Sequence, residues 1–316
     1  MAQPHPPSPT APPRPDRVFD ALDAAALAAE GHPVGGILPT VDADDFRAAA
    51  KLDPRAIRSR LDRVVMGEDP ERGLDELLDT GALAALFPEV HAMVGFGDGE
   101  WRHKDVWKHT KQVVRQAVPR LEVRWASLFH DIGKVKTRSI APDGKVHFLG
   151  HAEVGTRMFD KLDRRLGLFT HEAALKDTVR FLVLHHLRAN QYSPDWTDSA
   201  VRRLARELAE HLDDLLCLAR ADITTKRQEK KRRGLQQIEE LSQRIGRLAA
   251  EDAREPALPS GIGDAIMHAF GLPPSRKVGE VKRALEIAVE AGEIARGQST
   301  AAYLEILRTN REKFLL

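Results

Sequence analysis

Seven histidines and aspartates interrupt apolar stretches in the middle of this 316-residue chain, and any fold must find partners for them. His109 lies in WKHTKQVV, His130 and Asp131 in SLFHDIGKVKTRS, His151 in GHAEVG, His185 and His186 in FLVLHHLR, and Asp222 in LARADITT. Each falls in or beside a helical-looking apolar run, where a polar group costs free energy unless something satisfies it. One divalent metal site would satisfy them together, because imidazole nitrogens and carboxylate oxygens are both metal donors. The pattern therefore calls for a fold that returns the chain repeatedly to one centre, and it makes a metallohydrolase the first expectation.

The rest of the composition favours helices. Aromatic residues are sparse at 5%, apolar residues reach 42%, and Leu, Ala, Arg and Glu dominate, which leaves little material for a large sheet. The expected class is all-α, with at most one short β-hairpin near 138–149, where Pro142-Asp143-Gly144 forms a turn between β-branched and apolar residues. A net charge of +1 implies neither a nucleic-acid nor a membrane partner by itself. No stretch reaches the ~18 apolar residues of a membrane span. The single cysteine, Cys217, fits a reducing cytoplasm and reads as a core thiol.

Seven prolines in the first fifteen residues exclude a secretory signal and predict a disordered leader over residues 1–17. Asp53-Pro54 reads as a helix start, a carboxylate cap before a first-turn proline, and a second helix begins near Asp69-Pro70. Leu74, Leu77 and Leu78 then share one face, and Phe87-Pro88 stops the pattern. Residues 18–98 are accordingly expected to be a helical neck, 99–225 the metal domain and 226–316 a helical body and tail. The last region includes a long charged helix near 224–251 and a helix-turn-helix after Pro259.

Two imidazoles and two carboxylates can hold one divalent ion and leave positions open for water and substrate. Mixed nitrogen and oxygen ligation suits Mn, Fe, Co, Ni or Zn, and Mg less well. Lys134, in His130-Asp131-Ile132-Gly133-Lys134, could reach a phosphate as a point charge. Against this, each histidine alone reads more simply as a satisfied core or surface residue, and Lys134 as a solvated helix-end lysine. The joint order of a lone His, an HD doublet and a distant Asp shifts the balance towards a site.

The order His109, His130-Asp131, Asp222 resembles the HD superfamily of metal-dependent phosphohydrolases. That resemblance implies an all-helical HD core with His109, His130, Asp131 and Asp222 as metal ligands. It places Lys134, His151 and His185 on the phosphate side, with His186 able to replace His185. HKDVWKHT, LFHDIGK, GHAEVG, WTDSAVRR, RADITT and DAIMHAFGLPPSRKVGEVK also resemble the C-terminal part of bacterial CCA-adding tRNA nucleotidyltransferases, over about residues 50–310. The implied activity is hydrolysis of nucleotide or RNA phosphoesters, such as 2′,3′-cyclic phosphates, with a divalent cofactor (Mn, Co, Ni, Fe or Mg).

The nucleotidyltransferase head of that family is not legible here. Gly35-Gly36 followed by Asp42 and Asp44 imitates its glycine pair and paired aspartates, but only about sixteen residues separate Gly36 from the helix expected at Asp53. The alternative reading is thus a tRNA-binding paralogue or subunit that works with a separately encoded nucleotidyltransferase. The segment KRQEKKRR carries six basic residues in eight, and Lys226, Lys230 and Arg233 would share a helical face, with Arg202 and Arg203 nearby in sequence. These five are candidate RNA-backbone contacts, tRNA included; the simpler reading is a solvated helix face balanced by Glu239 and Glu240.

Overall fold

The structure is a computed structural model that describes residues 14–36, 38, 40–97, 105–252 and 257–314. It is helical throughout, apart from one two-stranded sheet among the described residues. The chain divides into two compact units, Met1–Gly246 and Arg247–Leu316. No helix among the described residues is long and apolar enough to cross a membrane.

The first unit opens with α1 (Pro15–Ala29), whose proline occupies the first helical turn. The leader expected over residues 1–17 therefore lies outside the described residues through residue 13 and is already helical from Pro15. Small residues let α1 sit close to the neighbouring helices and their connections. A Cβ on Gly67 would lie 2.5 Å from the Ala29 carbonyl oxygen, and one on Gly73 would lie 2.7 Å from that of Ala25. Helix α2 (Ala43–Leu52) starts at a capping box: Asp42 accepts from the Asp44 and Asp45 backbone N–H groups, and Asp45 returns a bond to the Asp42 N–H. The paired aspartates that imitate a catalytic motif are thus a helix start, and the first helices of the chain precede the one expected at Asp53.

That expected helix is α3 (Pro54–Met66), capped by Asp53 through the Ala56 N–H at 2.9 Å. Then come α4 (Pro70–Asp79), α5 (Ala82–Leu86) and α6 (Pro88–His91), with Leu74 and Leu77 buried on one face as the spacing predicts. Helices α7 (Val106–Gln116) and α8 (Leu121–Phe129) lead to a one-turn α9 (Lys134–Thr137). The hairpin pairs β1 (Ser139–Ile140) with β2 (Val146–His147) in antiparallel register, Ser139 opposite His147 and Ile140 opposite Val146. Helices α10 (His151–Leu166), α11 (Ala173–His185), α12 (Asp198–Leu208) and α13 (Leu212–Ala221) complete the centre.

An aromatic core holds this unit together. Trp125 stacks on Phe129 at 5.6 Å between centroids, and Phe87 and Phe169 meet Trp125 edge-on. Buried Arg58 lies 4.3 Å over the Phe169 ring and pairs with Asp62 at 2.6 Å, while the Trp125 indole N–H donates to the same Asp62 carboxylate. This ties α3 to α8 through a satisfied polar contact rather than an orphaned charge.

Helix α14 (Gln228–Asp252) is the long charged helix, beginning a few residues later than the sequence suggests. In the second unit α15 (Ile262–Phe270), α16 (Arg276–Glu290) and α17 (Thr300–Thr309) surround Ile266, Val281, Leu285, Tyr303 and Leu307. The Tyr303 hydroxyl donates to the backbone carbonyls of Ala257 and Ala295.

Candidate metal centre

The cluster forms where helices end. His130 follows the last residue of α8, His186 follows the last residue of α11, and His151 is the first residue of α10. Carbonyls in the last turn of a helix have no intrahelical N–H partner, so a side chain there can use them. The Nδ1 of His130 lies 2.8 Å from the Ser127 carbonyl and that of His186 lies 2.8 Å from the Val183 carbonyl. His151 Nδ1 lies 2.7 Å from the Phe148 carbonyl, on the loop that leads into α10. A carbonyl only accepts, so each Nδ1 carries its hydrogen and each neutral ring presents a bare Nε2 lone pair.

Those Nε2 atoms point at one another. His151 and His186 approach to 3.1 Å, and His130 and His109 to 3.3 Å. Helix α7 supplies His109, whose Nδ1 lies 2.8 Å from the Thr224 hydroxyl. Asp222, just past α13, places Oδ1 3.0 Å from His109 Nε2 and 3.7 Å from His130 Nε2. Asp131 Oδ2 is 3.4 Å from His109 Nε2 and 3.2 Å from His130 Nε2. An ion with bonds near 2.1 Å spaces adjacent ligands about 3 Å apart, so this donor set fits one. Facing lone pairs repel unless a proton or a cation lies between them, which is a second reason for the fit.

Asp131 also faces the other way. Its Oδ1 is 3.5 Å from His151 Nε2 and 4.0 Å from His186 Nε2. The candidate donors thus form two groups that share Asp131: His109, His130 and Asp131, joined by Asp222, and Asp131, His151 and His186. The sequence points to one ion and leaves the choice between His185 and His186 open. The structure turns His186 into the cluster and His185 onto the Phe181 ring at 4.3 Å, because neighbours on a helix differ by about 100° in direction. His185 therefore does not reach the site in this structure.

Electrostatics separate the members. Burial opposes the charge on Asp131, yet His130 and Lys134 outweigh it and hold the carboxyl well below its ordinary range. Burial also opposes the Asp222 charge, and the His109 hydrogen bond overcomes it, bringing the pKa to about 2. Desolvation pushes His186 down to about 4 and lowers His151. His130 is also desolvated, but Asp131 raises it above the usual histidine value. At neutral pH the site therefore holds two carboxylates and at least two neutral imidazoles, the charge states metal ligation requires.

Lys134 opens α9 and puts Nζ 2.6 Å from Asp131 Oδ2, with the Phe148 ring 5.7 Å away. Gly133 before it has a specific reason to be glycine: a Cβ there would lie 2.0 Å from the His151 carbonyl oxygen and 2.7 Å from the Gly155 nitrogen. The glycines of HDIGK and HAEVG meet across this contact and bring His130-Asp131 against His151. Thr224 and Asn190, whose amide donates to Asp222 Oδ2 at 3.4 Å, support the ligands and do not stand out in the sequence. Thr224 carries a faint signal, since it follows Asp222 by two residues in RADITT; Asn190 carries none.

The basic candidates lie apart from this cluster in character. Lys226 precedes α14 instead of sharing its face; Lys230 and Arg233 are exposed on α14, lining a surface hollow of about 680 Å³ with Glu229 and Arg232. Arg203, on α12, is exposed and 3.9 Å from Glu207, and Arg202 on the same helix is half-buried.

Residues 106–226 match the HD domain family. The chain is 30% identical over 259 residues to an A-adding tRNA nucleotidyltransferase of Deinococcus radiodurans, covering 79% of this chain and 57% of that protein. It is 30% identical over 267 residues to a CC-adding tRNA nucleotidyltransferase of Thermus thermophilus, covering 81% and 57%. A multifunctional CCA protein of Pseudomonas paraeruginosa is 35% identical over 145 residues, 44% of this chain. The chain spans little more than half the length of the first two relatives.

Proposed function

Because this chain carries an HD domain and is homologous along about four fifths of its length to tRNA nucleotidyltransferases, we propose that it is a metal-dependent phosphohydrolase of nucleotide or RNA phosphoesters. The observation that carries the proposal is the convergence of His109, His130, Asp131 and Asp222, with donor atoms 3.0–3.7 Å apart and imidazole lone pairs facing inward. A divalent ion held there supplies Lewis acidity towards a phosphoryl oxygen and lowers the pKa of an attacking water.

The side chains divide the remaining work. Lys134 keeps Asp131 ionised and is itself partly exposed, so it is the cation that meets a substrate phosphate. His151 and His186, kept neutral by burial, cannot bring positive charge to a phosphate; with Asp131 Oδ1 they are suited to a second ion instead. Thr224, whose hydroxyl lies 2.8 Å from His109 Nδ1, steadies the ring with Nε2 turned towards the carboxylates. Substrates of this class include 2′,3′-cyclic phosphates and phosphomonoesters. Candidate RNA-backbone contacts remain Arg202, Arg203, Lys226, Lys230 and Arg233.

The purified chain should hydrolyse a 2′,3′-cyclic nucleotide or a simple phosphodiester when Mn, Co or Ni is added. Asp131→Ala should lose this activity by at least about a hundredfold, as expected when a ligand shared by every donor group is removed. Undiminished hydrolysis in Asp131→Ala would overturn the assignment. Retained RNA binding without hydrolysis in the wild type would favour the second reading, a tRNA-binding partner of a separate nucleotidyltransferase, which the same relatives support.

A further inference from the structure

The β1–β2 hairpin is the one departure from helix among the described residues, and both its ends are fastened to the site. It leaves α9 four residues after Lys134 and returns at Gly150, immediately before His151. Phe148, at its base, gives His151 its backbone acceptor and lies against Lys134. A helical metal site has no geometric need for this excursion, since α9 and α10 already meet through Gly133 and Gly155.

The hairpin also carries a surface unlike the rest of the molecule. Leu149 is 80% exposed and Ile140 62%, the two most exposed large apolar side chains among the described residues. Lys136 and Arg138 are exposed and have no ion-pair partner among the described residues. Its acidic residue, Asp143, is already paired with Lys145 at 2.7 Å. Ile140 and Val146, opposite each other in the register, share one face of the hairpin, while Arg138 and Leu149 lie in the short connections that join it to α9 and α10 beside Phe148, the residue that touches Lys134. Apolar groups interleaved with uncompensated cations beside a phosphoester site match a base or ribose flanked by phosphates.

We propose that Lys136, Arg138, Ile140 and Leu149 form a subsite for the nucleotide next to the scissile phosphoester at a single-stranded RNA end. The subsite deepens, and rests on, the phosphohydrolase reading. It predicts a preference for oligonucleotide ends over free mononucleotides: the mononucleotide fills the metal centre alone, and the oligonucleotide also covers the hairpin.

The test uses the full chain and a fluorescent oligoribonucleotide ending in a 2′,3′-cyclic phosphate. Binding is followed by anisotropy in EDTA, so hydrolysis does not interfere. Lys136→Ala/Arg138→Ala should weaken binding about three- to tenfold and flatten the plot of log affinity against log salt by about 1.4, roughly 0.7 per lost phosphate contact. Leu149→Ser should weaken it about threefold with the salt slope unchanged, the signature of an apolar contact. With metal added, the ratio of kcat/KM for the oligonucleotide to kcat/KM for the cyclic mononucleotide should fall in the same variants. All positions are exposed, so the variants should fold. Unchanged affinity and an unchanged ratio when all three substitutions are combined would overturn the subsite and leave the hairpin as a contact for a protein. Weakened binding in the variants of a protein that hydrolyses nothing would sink the phosphohydrolase reading alone.

Discussion

His130, His151 and His186 owe their orientation to three backbone carbonyls and their charge to burial set against Asp131, and these together decide how the metal-free protein responds to pH. His186, pushed down to about 4, and His151, also lowered, resist protonation in the fold. Their contribution to stability is complete above the ordinary histidine value of 6.5 and is lost as pH falls towards 4. His130 has the opposite sign. Asp131 raises it against desolvation, so its contribution is present below 6.5 and is lost as pH rises through its higher folded value. Chelated protein should therefore be most stable close to pH 6.5, as read from thermal denaturation in EDTA across a pH series. A midpoint that climbs without a maximum from about pH 5 to 9 would contradict these assignments. The residue types and their order are legible in the sequence; the tautomers are not, because they depend on carbonyls left free by helix ends. The choice of His186 over His185 follows from the buried face of α11, since His186 continues Val179, Leu182 and Val183 at helical spacing while His185 lies beside that face against Phe181.

At the scale of elements, short connections do as much as helices. The Gly133–Gly155 approach sets the distance between the HD doublet and His151, and the clash at a Gly133 Cβ is with backbone, which cannot turn aside. Gly133→Ala should cost about 1–3 kcal/mol as overpacking and should weaken metal binding as well, because the doublet moves with the loop. A denaturant titration beside a metal titration checks both; normal values in each would show that the loop adjusts freely. The cap expected at Asp53 forms, its carboxylate accepting the Ala56 N–H, and Asp105, which the sequence does not single out as a cap, accepts from the Trp107 and Lys108 N–H groups. Helices α1 and α2 are hard to see in the sequence for a different reason. The proline-rich start makes the first turn look like leader, and the alanines of α1 carry weak periodicity although Ala21, Ala25, Ala26 and Ala29 are fully buried. The hairpin is legible from Pro142-Asp143-Gly144, where Gly144 takes a φ of +80° that an L side chain rarely adopts.

Over the whole molecule, every candidate ligand lies in the unit Met1–Gly246, while Arg247–Leu316 has a core of its own. A ligand bound only by the folded state stabilises the unit its site belongs to, by about 2.7 kcal/mol at a hundred times its Kd. Adding Mn or Co should slow amide exchange in α7, α8, α10 and α13 and leave α15 to α17 unaffected. Equal protection in both units would show that they do not unfold separately or that the ion binds elsewhere. An all-helical architecture is readable from composition and periodicity, because helices are local and their signals lie close together in the chain. The meeting of residues more than a hundred positions apart, His109 with Asp222 and Thr224, becomes legible only through the order of a recognisable motif.

Asp131 presents one oxygen to His109 and His130 and the other to His151 and His186. A single carboxylate facing two binding groups makes them thermodynamically inseparable. Whatever occupancy of the first does to the affinity of the second, occupancy of the second does to the first by the same factor. Loading of this protein would then be cooperative, with a positive sign if the first ion orders the shared carboxylate and a negative sign if the two charges repel more than that ordering gains.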